Sequence, residues 1–248
     1  MQVLRFVAEH PAQTVGVREI AAALAVQPSS VSRSLAALHR ERLVQRDPQT
    51  GKFSPHLDLI RLGLLATKKL DIRTVARPHL QHIVDLCNES VFLGVYDPVW
   101  KQMLRVEGLP SSRPLRYVVE LDQWTEIFRG ASGLAIMAYL PPDEREEVLR
   151  ISDGAASPAE PWLKREQLEP FLTEIREKGY ACTKGRRIEG AVGIGAPVFG
   201  AQGRVIADVI LTVPDVRFEE RDEPLYASYV MDAAAKITAG MGGERPVH

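Results

Sequence analysis

Residues 27–38 read Q-P-S-S-V-S-R-S-L-A-A-L. Pro28, with Ser29 and Ser30 beside it, marks a helix start, because a proline in the first turn leaves no amide unpaired and has a helical φ already. Val31, Leu35 and Leu38 recur at i, i+4 and i+7 and share one face. At about 100° per residue, Ser29, Arg33 and Arg40 fall on the opposite face. A helix that buries one side and offers hydroxyls and arginines on the other suits a groove of DNA. Small hydroxyls allow close approach to phosphates and bases, and an arginine can hydrogen-bond a guanine edge or a phosphate. The same pattern also describes an ordinary surface helix, so the neighbouring stretches decide.

Residues 1–8 read as a helix with Val3, Leu4, Phe6 and Val7 available for burial, ended by His10-Pro11. Residues 17–24, V-R-E-I-A-A-A-L, form a second helix that carries Arg18 and sets Ile20 and Leu24 four apart. Ala25-Val26-Gln27 is a short turn into the opening helix. Two short helices so joined are a helix-turn-helix, whose second helix reads the major groove. Residues 43–46 then read as a strand, Asp47-Pro48-Gln49-Thr50-Gly51 as a turn, and Lys52-Phe53 as a second strand. A hairpin directly after a helix-turn-helix makes a winged helix. Arg46 and Lys52 flank its turn, within reach of phosphate or the minor groove. The candidate DNA-binding set is Arg18, Ser29, Ser30, Arg33, Arg40, Arg46 and Lys52.

Charge supports this division. Residues 1–53 hold seven Lys or Arg against four acids, a net +3, while the rest of the 248-residue chain is at −4. A small basic head on a mildly acidic body fits a nucleic-acid module joined to something else. The 45% hydrophobic and 25% charged content is that of an ordinary globular protein. No run approaches the ~18 apolar residues of a membrane span, and the N-terminus lacks a signal-peptide pattern. A cytoplasmic protein without a membrane partner is expected. Cys87 and Cys182 stand far apart and form no metal or redox spacing.

Beyond the hairpin, residues 56–70 read as a connecting helix with Leu57, Ile60 and Leu64 on one side. From about residue 74 a second domain begins: a helix at 75–88, strands at 90–96 and 101–107, and a third strand at 115–119. Residues 128–140, F-R-G-A-S-G-L-A-I-M-A-Y-L, open on small residues and continue as an almost wholly apolar helix, which Pro141-Pro142 ends. Such a helix must be buried, and its free N-terminal amides then form a ready site for a carboxylate or other anion. Alternatively, the glycines only permit close packing. Helices at 142–151 and 162–178 follow, then strands at 180–183, 190–199 and 204–213, and a closing helix at 218–240. The turn signals suggest an antiparallel meander and not a Rossmann sheet, giving an α+β class.

Residues 17–53, V-R-E-I-A-A-A-L-A-V-Q-P-S-S-V-S-R-S-L-A-A-L-H-R-E-R-L-V-Q-R-D-P-Q-T-G-K-F, closely resemble the winged-helix domain of the IclR family of bacterial transcriptional regulators. A-S-G-L-A-I-M-A-Y-L (131–140), I-R-E-K-G-Y-A (175–181), E-G-A-V-G-I-G-A-P-V (189–198) and G-R-V-I-A-D-V-I-L-T-V-P (203–214) resemble the same family's effector-binding domain. The resemblance implies a winged helix-turn-helix at 1–54, a linker helix at 55–73 and a GAF-like α/β domain with an antiparallel sheet at 74–248. It implies a regulator that binds a double-stranded DNA operator, whose affinity a small metabolite alters, and that assembles as a homodimer or homotetramer without cofactor or metal. By position, the effector pocket would involve Ser132, Gly133, Thr183, Ala191, Gly193, Ile210 and Thr212. Some members place an aspartate, cysteines and serines where this chain has Thr183, Gly193, Ile210 and Thr212. The pocket is therefore expected to be less polar and roomier, suited to an effector such as an aromatic carboxylate rather than a small keto acid. Many members carry acidic residues where this chain has Lys184-Gly185-Arg186-Arg187. These bases either help an anionic effector or form a solvated turn.

Enzyme readings find little support. G-x-x-G-x-G at 190–195 reverses the dinucleotide fingerprint and lies in a strand. No P-loop and no G-x-S-x-G occur. His79 and His82 lie three apart without an evident third ligand, and nothing near Cys87 in sequence would lower its pKa. The alternative is a metabolite-binding signalling protein, or a small-molecule enzyme, with a vestigial DNA-binding head.

Overall fold

The computed structural model describes residues 2–69, 72–118, 120–121, 123–154 and 165–246. The chain divides into two compact units, Met1–Leu70 and Asp71–His248.

The first unit comprises α1 (Gln2–Glu9), α2 (Val17–Ala23), α3 (Pro28–Arg40), β1 (Val44–Arg46), β2 (Phe53–Pro55) and α4 (Leu57–Lys69). Its core is built from the apolar positions that the helical spacing picks out: Val3, Val7, Ile20, Val31 and Leu35, closed by Val44 and Phe53. Val31 and Leu35 are fully buried. Between α2 and α3 the chain turns at Ala25, whose φ is +52°, and Val26 N donates to Ala21 O at 3.0 Å. The hairpin pairs Val44 with Pro55 and Arg46 with Phe53. Its second strand thus begins at Phe53, and Lys52 belongs to the turn, its carbonyl accepting from Asp47 N at 2.8 Å. Asp47 Oδ1 accepts the amides of Gln49 and Thr50, which holds the turn and lowers the Asp47 pKa. Val15 adds a bridge to this sheet, exchanging two hydrogen bonds with Phe53.

The second unit holds α5 (Ile72–Cys87), β3 (Ser90–Asp97), β4 (Gln102–Leu109), β5 (Trp124–Glu126), α6 (Gly130–Met137), α7 (Pro142–Gly154), α8 (Arg165–Lys178), β6 (Ala181–Lys184), β7 (Ala191–Phe199), β8 (Val205–Pro214) and α9 (Glu223–Gly240). The six strands form one sheet in the order β5-β4-β3-β8-β7-β6, every neighbouring pair antiparallel. Side chains alternate between its faces. On one face Val192, Ile194, Val209 and Leu211 pack with Leu80 and Ile83 of α5 and with Val230 and Ile237 of α9. On the other, Phe92, Met103 and Ile210 pack with the wholly buried α6 and with Leu172 and Ile175 of α8. This is the α+β architecture with an antiparallel sheet expected from the sequence.

Two expectations need correction, and one lies partly outside the described residues. No strand forms at residues 115–118, and residue 119 lies outside the described residues; β4 pairs instead with Trp124–Glu126. The Leu115 carbonyl is taken by Arg217 Nη1 at 3.0 Å, so this backbone is spent on a loop contact and not on a ladder. The closing helix starts at Glu223, beside Pro224, after short 3₁₀ turns at Asp215–Arg217 and Glu220–Asp222. Within the described residues α8 begins at Arg165, and residues 162–164 of the expected helix lie outside them.

Candidate DNA-reading helix and effector site

α3 presents Ser29, Arg33 and Arg40 to solvent on the side away from Val31 and Leu35, and Ser30 is half-buried. Arg33 Nη2 lies 3.5 Å from Ser30 Oγ, so the arginine is steered along the start of the helix. Arg18 on α2 and Lys52 in the hairpin turn are also exposed. Arg46 behaves differently. Its guanidinium lies 5.9 Å from the Phe53 ring centre and its Nε donates to Gly51 O at 3.4 Å. Exposed as it is, Arg46 folds back on its own hairpin.

The second candidate site lies where α6 meets the sheet. Gly130, at φ +70°, turns the chain into the helix, a conformation that side-chain-bearing residues rarely adopt. Ala131 N donates to Thr183 Oγ1 at 3.0 Å, so one of the N-terminal amides that the sequence left free is capped within the protein. Ser132 Oγ donates to Asp208 Oδ2 at 2.6 Å and lies 3.2 Å from Met103 Sδ. Gly133 serves packing: a Cβ there would sit 2.3 Å from the Ile127 carbonyl oxygen. On the sheet, Thr183 pairs with Gly193 and Gly193 with Thr212, so these three positions form one row. Ala191 and Ile210 point to the same face by the two-residue alternation. At Gly193 a Cβ would already be in ordinary van der Waals contact, 3.4 Å from Ile210 Cδ1 and 3.5 Å from Ala131 Cβ.

Sequence reasoning missed the charged end of this face. Asp208 is fully buried. Its row continues to Gly94 and then to Arg105, which is 4% exposed. Gly94 is required there, since a Cβ would fall 2.4 Å from Asp208 Oδ1. Burial raises the Asp208 pKa to about 6, against the lowering effects of the Ser132 hydrogen bond and the Arg105 and Arg187 charges. Burial lowers the pKa of Arg105, and the Asp208 charge partly offsets this. Asp208 Oδ1 and Arg105 Nε have no hydrogen-bond partner. Arg187 lies over the start of α6, its Cβ 3.0 Å from where a side chain on Gly130 would begin. Part of it stays exposed, but burial of the guanidinium and the nearby Arg105 lower its pKa to about 10. The signal for Asp208 was in the sequence: it is the lone charge in the apolar strand V-I-A-D-V-I-L-T-V-P, in phase with Ile210 and Thr212.

A buried carboxylate also fastens the loop beside the site. Glu89, 1% exposed, accepts from Arg113 Nη1 at 2.5 Å and from Arg217 Nε and Nη2 at 3.0 and 2.8 Å. Tyr117 Oη donates to Glu189 O at 2.9 Å, tying the loop to the approach of β7. Neither thiol is activated: burial raises the pKa of Cys87, and that of Cys182 to about 12. Among the described residues no three His, Cys, Asp or Glu side chains group as metal ligands, and no helix is long and apolar enough to cross a membrane.

Comparison with known proteins accords with both halves of this geometry. Residues 1–48 match the IclR helix-turn-helix domain, and residues 64–239 match the C-terminal domain of the bacterial transcriptional regulator IclR. The HTH-type transcriptional regulator KdgR of Escherichia coli (strain K12) is 27% identical over 228 residues, covering 92% of this chain and 86% of that protein. KipR of Bacillus subtilis (strain 168), also an HTH-type transcriptional regulator, is 25% identical over 249 residues, covering 98% and 95%. The crystal structure of an IclR transcriptional regulator from Alicyclobacillus acidocaldarius superposes with a TM-score of 0.80 at 26% identity, over 96% of this chain and 95% of that one. An IclR homolog from Microbacterium hydrocarbonoxydans, crystallised with 4-hydroxybenzoate, has the same fold, with a TM-score of 0.75 at 22% identity over 97% and 96% of the two chains. The chain belongs to the IclR family of bacterial transcriptional regulators, pairing a helix-turn-helix DNA-binding domain with the family's C-terminal effector domain.

Proposed function

We propose that this regulator binds its operator through α3 and the hairpin, and that a small organic acid seated against α6 changes its operator affinity. Ser29, Ser30 and Arg33 read bases or phosphates, Arg18, Arg40 and Lys52 hold the backbone, and Arg46 contributes less because it is engaged with its own hairpin. The observation that carries the effector half is the convergence, around the capped start of α6, of the side-chain-free Gly193, the buried Arg105 and the exposed loop cation Arg187. Apolar surroundings with a few fixed polar groups are the usual make-up of a small-molecule site. Position by position the pocket is less polar than in some relatives, yet Asp208 and the two arginines give it a charged end. The structural relative crystallised with 4-hydroxybenzoate supports an acid as the ligand class. Leu57, Ile60, Leu62 and Leu65 of α4 are exposed in the single chain, which supports assembly as a homodimer or homotetramer.

The test is a fluorescence anisotropy titration of operator DNA with and without candidate acids, in the wild type and in a correctly folded Gly193→Ile, which sets a bulky side chain against Ile210 and Ala131. An acid that shifts operator affinity in the wild type and not in Gly193→Ile supports the reading. Equal responses in both would place the effector elsewhere.

A further inference from the structure

Two buried polar atoms, on side chains of one row either side of Gly94, have no partner. Asp208 Oδ1 is an acceptor, and Arg105 Nε–H is a donor. Each group feels the other's charge. Leaving either unpaired is costly, the more so for a charged group, so the pair is built to receive a third group. The polarity requirements narrow what that group is. A ketone accepts from Arg105 but gives Asp208 nothing. An ammonium donates to Asp208 but meets Arg105 donor to donor. A bare carboxylate satisfies Arg105 and is repelled by Asp208. A hydroxyl accepts from Nε and donates to Oδ1 at once. Arg187, over the start of α6, remains for an anionic group on the same molecule.

We propose that the effector is a hydroxy acid, whose hydroxyl sits between Asp208 Oδ1 and Arg105 Nε and whose carboxylate turns to Arg187; this rests on the reading that the effector binds against α6. Asp208 and Arg105 are then its specificity-determining residues. Ser132 is a positioning residue, because its hydrogen bond to Oδ2 leaves Oδ1 free for the ligand. A site that hydrogen-bonds a substrate hydroxyl rejects the analogue lacking it far more strongly than an apolar pocket rejects an extra methylene.

The experiment is calorimetry on the full chain with acids paired by one hydroxyl: 4-hydroxybenzoate and benzoate, mandelate and phenylacetate, 2-hydroxyhexanoate and hexanoate. In the wild type, at least one hydroxylated member binds about 10- to 100-fold tighter than its partner, as expected for a hydrogen bond to a charged group. Asp208→Ala and Arg105→Met, each verified as folded by its thermal transition, reduce that preference to less than about threefold, while Gly193→Ile abolishes binding of both members. If the wild type binds the members of every pair alike, or binds no acid of the set, the proposal is overturned. It is also overturned if the preference survives both Asp208→Ala and Arg105→Met; the α6 site itself then still stands provided Gly193→Ile blocks binding. Undiminished binding in Gly193→Ile refutes the site and the hydroxy acid with it.

Discussion

Ser132 Oγ donates a 2.6 Å hydrogen bond to Asp208 Oδ2, joining the first turn of α6 to the middle of β8. The bond satisfies one oxygen of a fully buried carboxylate and leaves the other open. It also fixes which way that carboxylate points, across Gly94 and towards Arg105.

The raised Asp208 pKa makes stability depend on pH in a stated direction. The folded-state value of about 6 lies above the ordinary 3.8, so the folded chain holds this proton more tightly than the unfolded one. The associated stability is complete below about 3.8 and is lost as pH rises through about 6. Asp208→Asn cannot ionise and should therefore gain on the wild type between about pH 4 and about pH 7.5, by roughly 3 kcal/mol at most. Urea unfolding at the two ends of that range measures the gain. A gap that stays constant or narrows with rising pH would show that the carboxylate is not destabilised by its burial.

Two glycines, one in α6 and one in β7, should respond to the same change to different degrees. A Cβ on Gly133 collides with the Ile127 backbone, which cannot swing aside as a side chain can. Gly133→Ala should cost about 3 kcal/mol or more, as overpacking against rigid backbone does. A Cβ on Gly193 meets only ordinary contacts at 3.4 Å and beyond, so Gly193→Ala should cost less than about 1 kcal/mol. Thermal melts of the two variants give the comparison; similar losses in both would remove the distinction between a glycine that a Cβ would clash at and one where a Cβ fits.

Glu89 holds two arginines and, through Arg217, the Leu115 carbonyl. Glu89→Ala should cost about 2 kcal/mol, short of the 3–5 kcal/mol for a fully buried ion pair because both arginines keep contact with water. Limited proteolysis should then cut first within residues 110–118. Cleavage unchanged in site and rate would mean that the loop is held by other contacts.

Most of the architecture was legible because the apolar positions speak clearly. The spacing of Val31, Leu35 and Leu38 marked α3, the unbroken apolar run after Gly130 marked α6, and the apolar runs 190–199 and 204–213, joined by the turn at 200–203, marked the inner strands. What escaped depends on partners distant in the chain. Val15 bridges Phe53 as a single residue, too short to show alternation. Residues 115–118 have the composition of a strand, but their backbone answers to Arg217. Asp208 stood out as a lone charge, yet only the strand order β4-β3-β8 brings Arg105 to it. Arg46 shows the reverse: its place beside the turn was right, and its side chain folds onto Phe53.

That difference separates the two cations of the hairpin. Lys52→Ala should weaken DNA binding across all sequences and lower the salt slope by about 1, the mark of one lost phosphate contact. Arg46→Ala should change the slope less and lower the melting temperature of the first unit more, since it removes the contact over Phe53 and the bond to Gly51. Anisotropy titrations at several salt concentrations separate these effects; a larger slope change from Arg46→Ala would reverse the assignment.

The reading of α3 meets its most direct trial in a footprint of the full chain on the DNA upstream of its own gene, comparing wild type with a correctly folded Arg33→Ala. Wild type should protect an inverted repeat, as a symmetric oligomer does, and Arg33→Ala should need more protein for the same protection by a factor equivalent to ~1–3 kcal/mol. Identical protection by the two proteins would show that this helix does not read the operator.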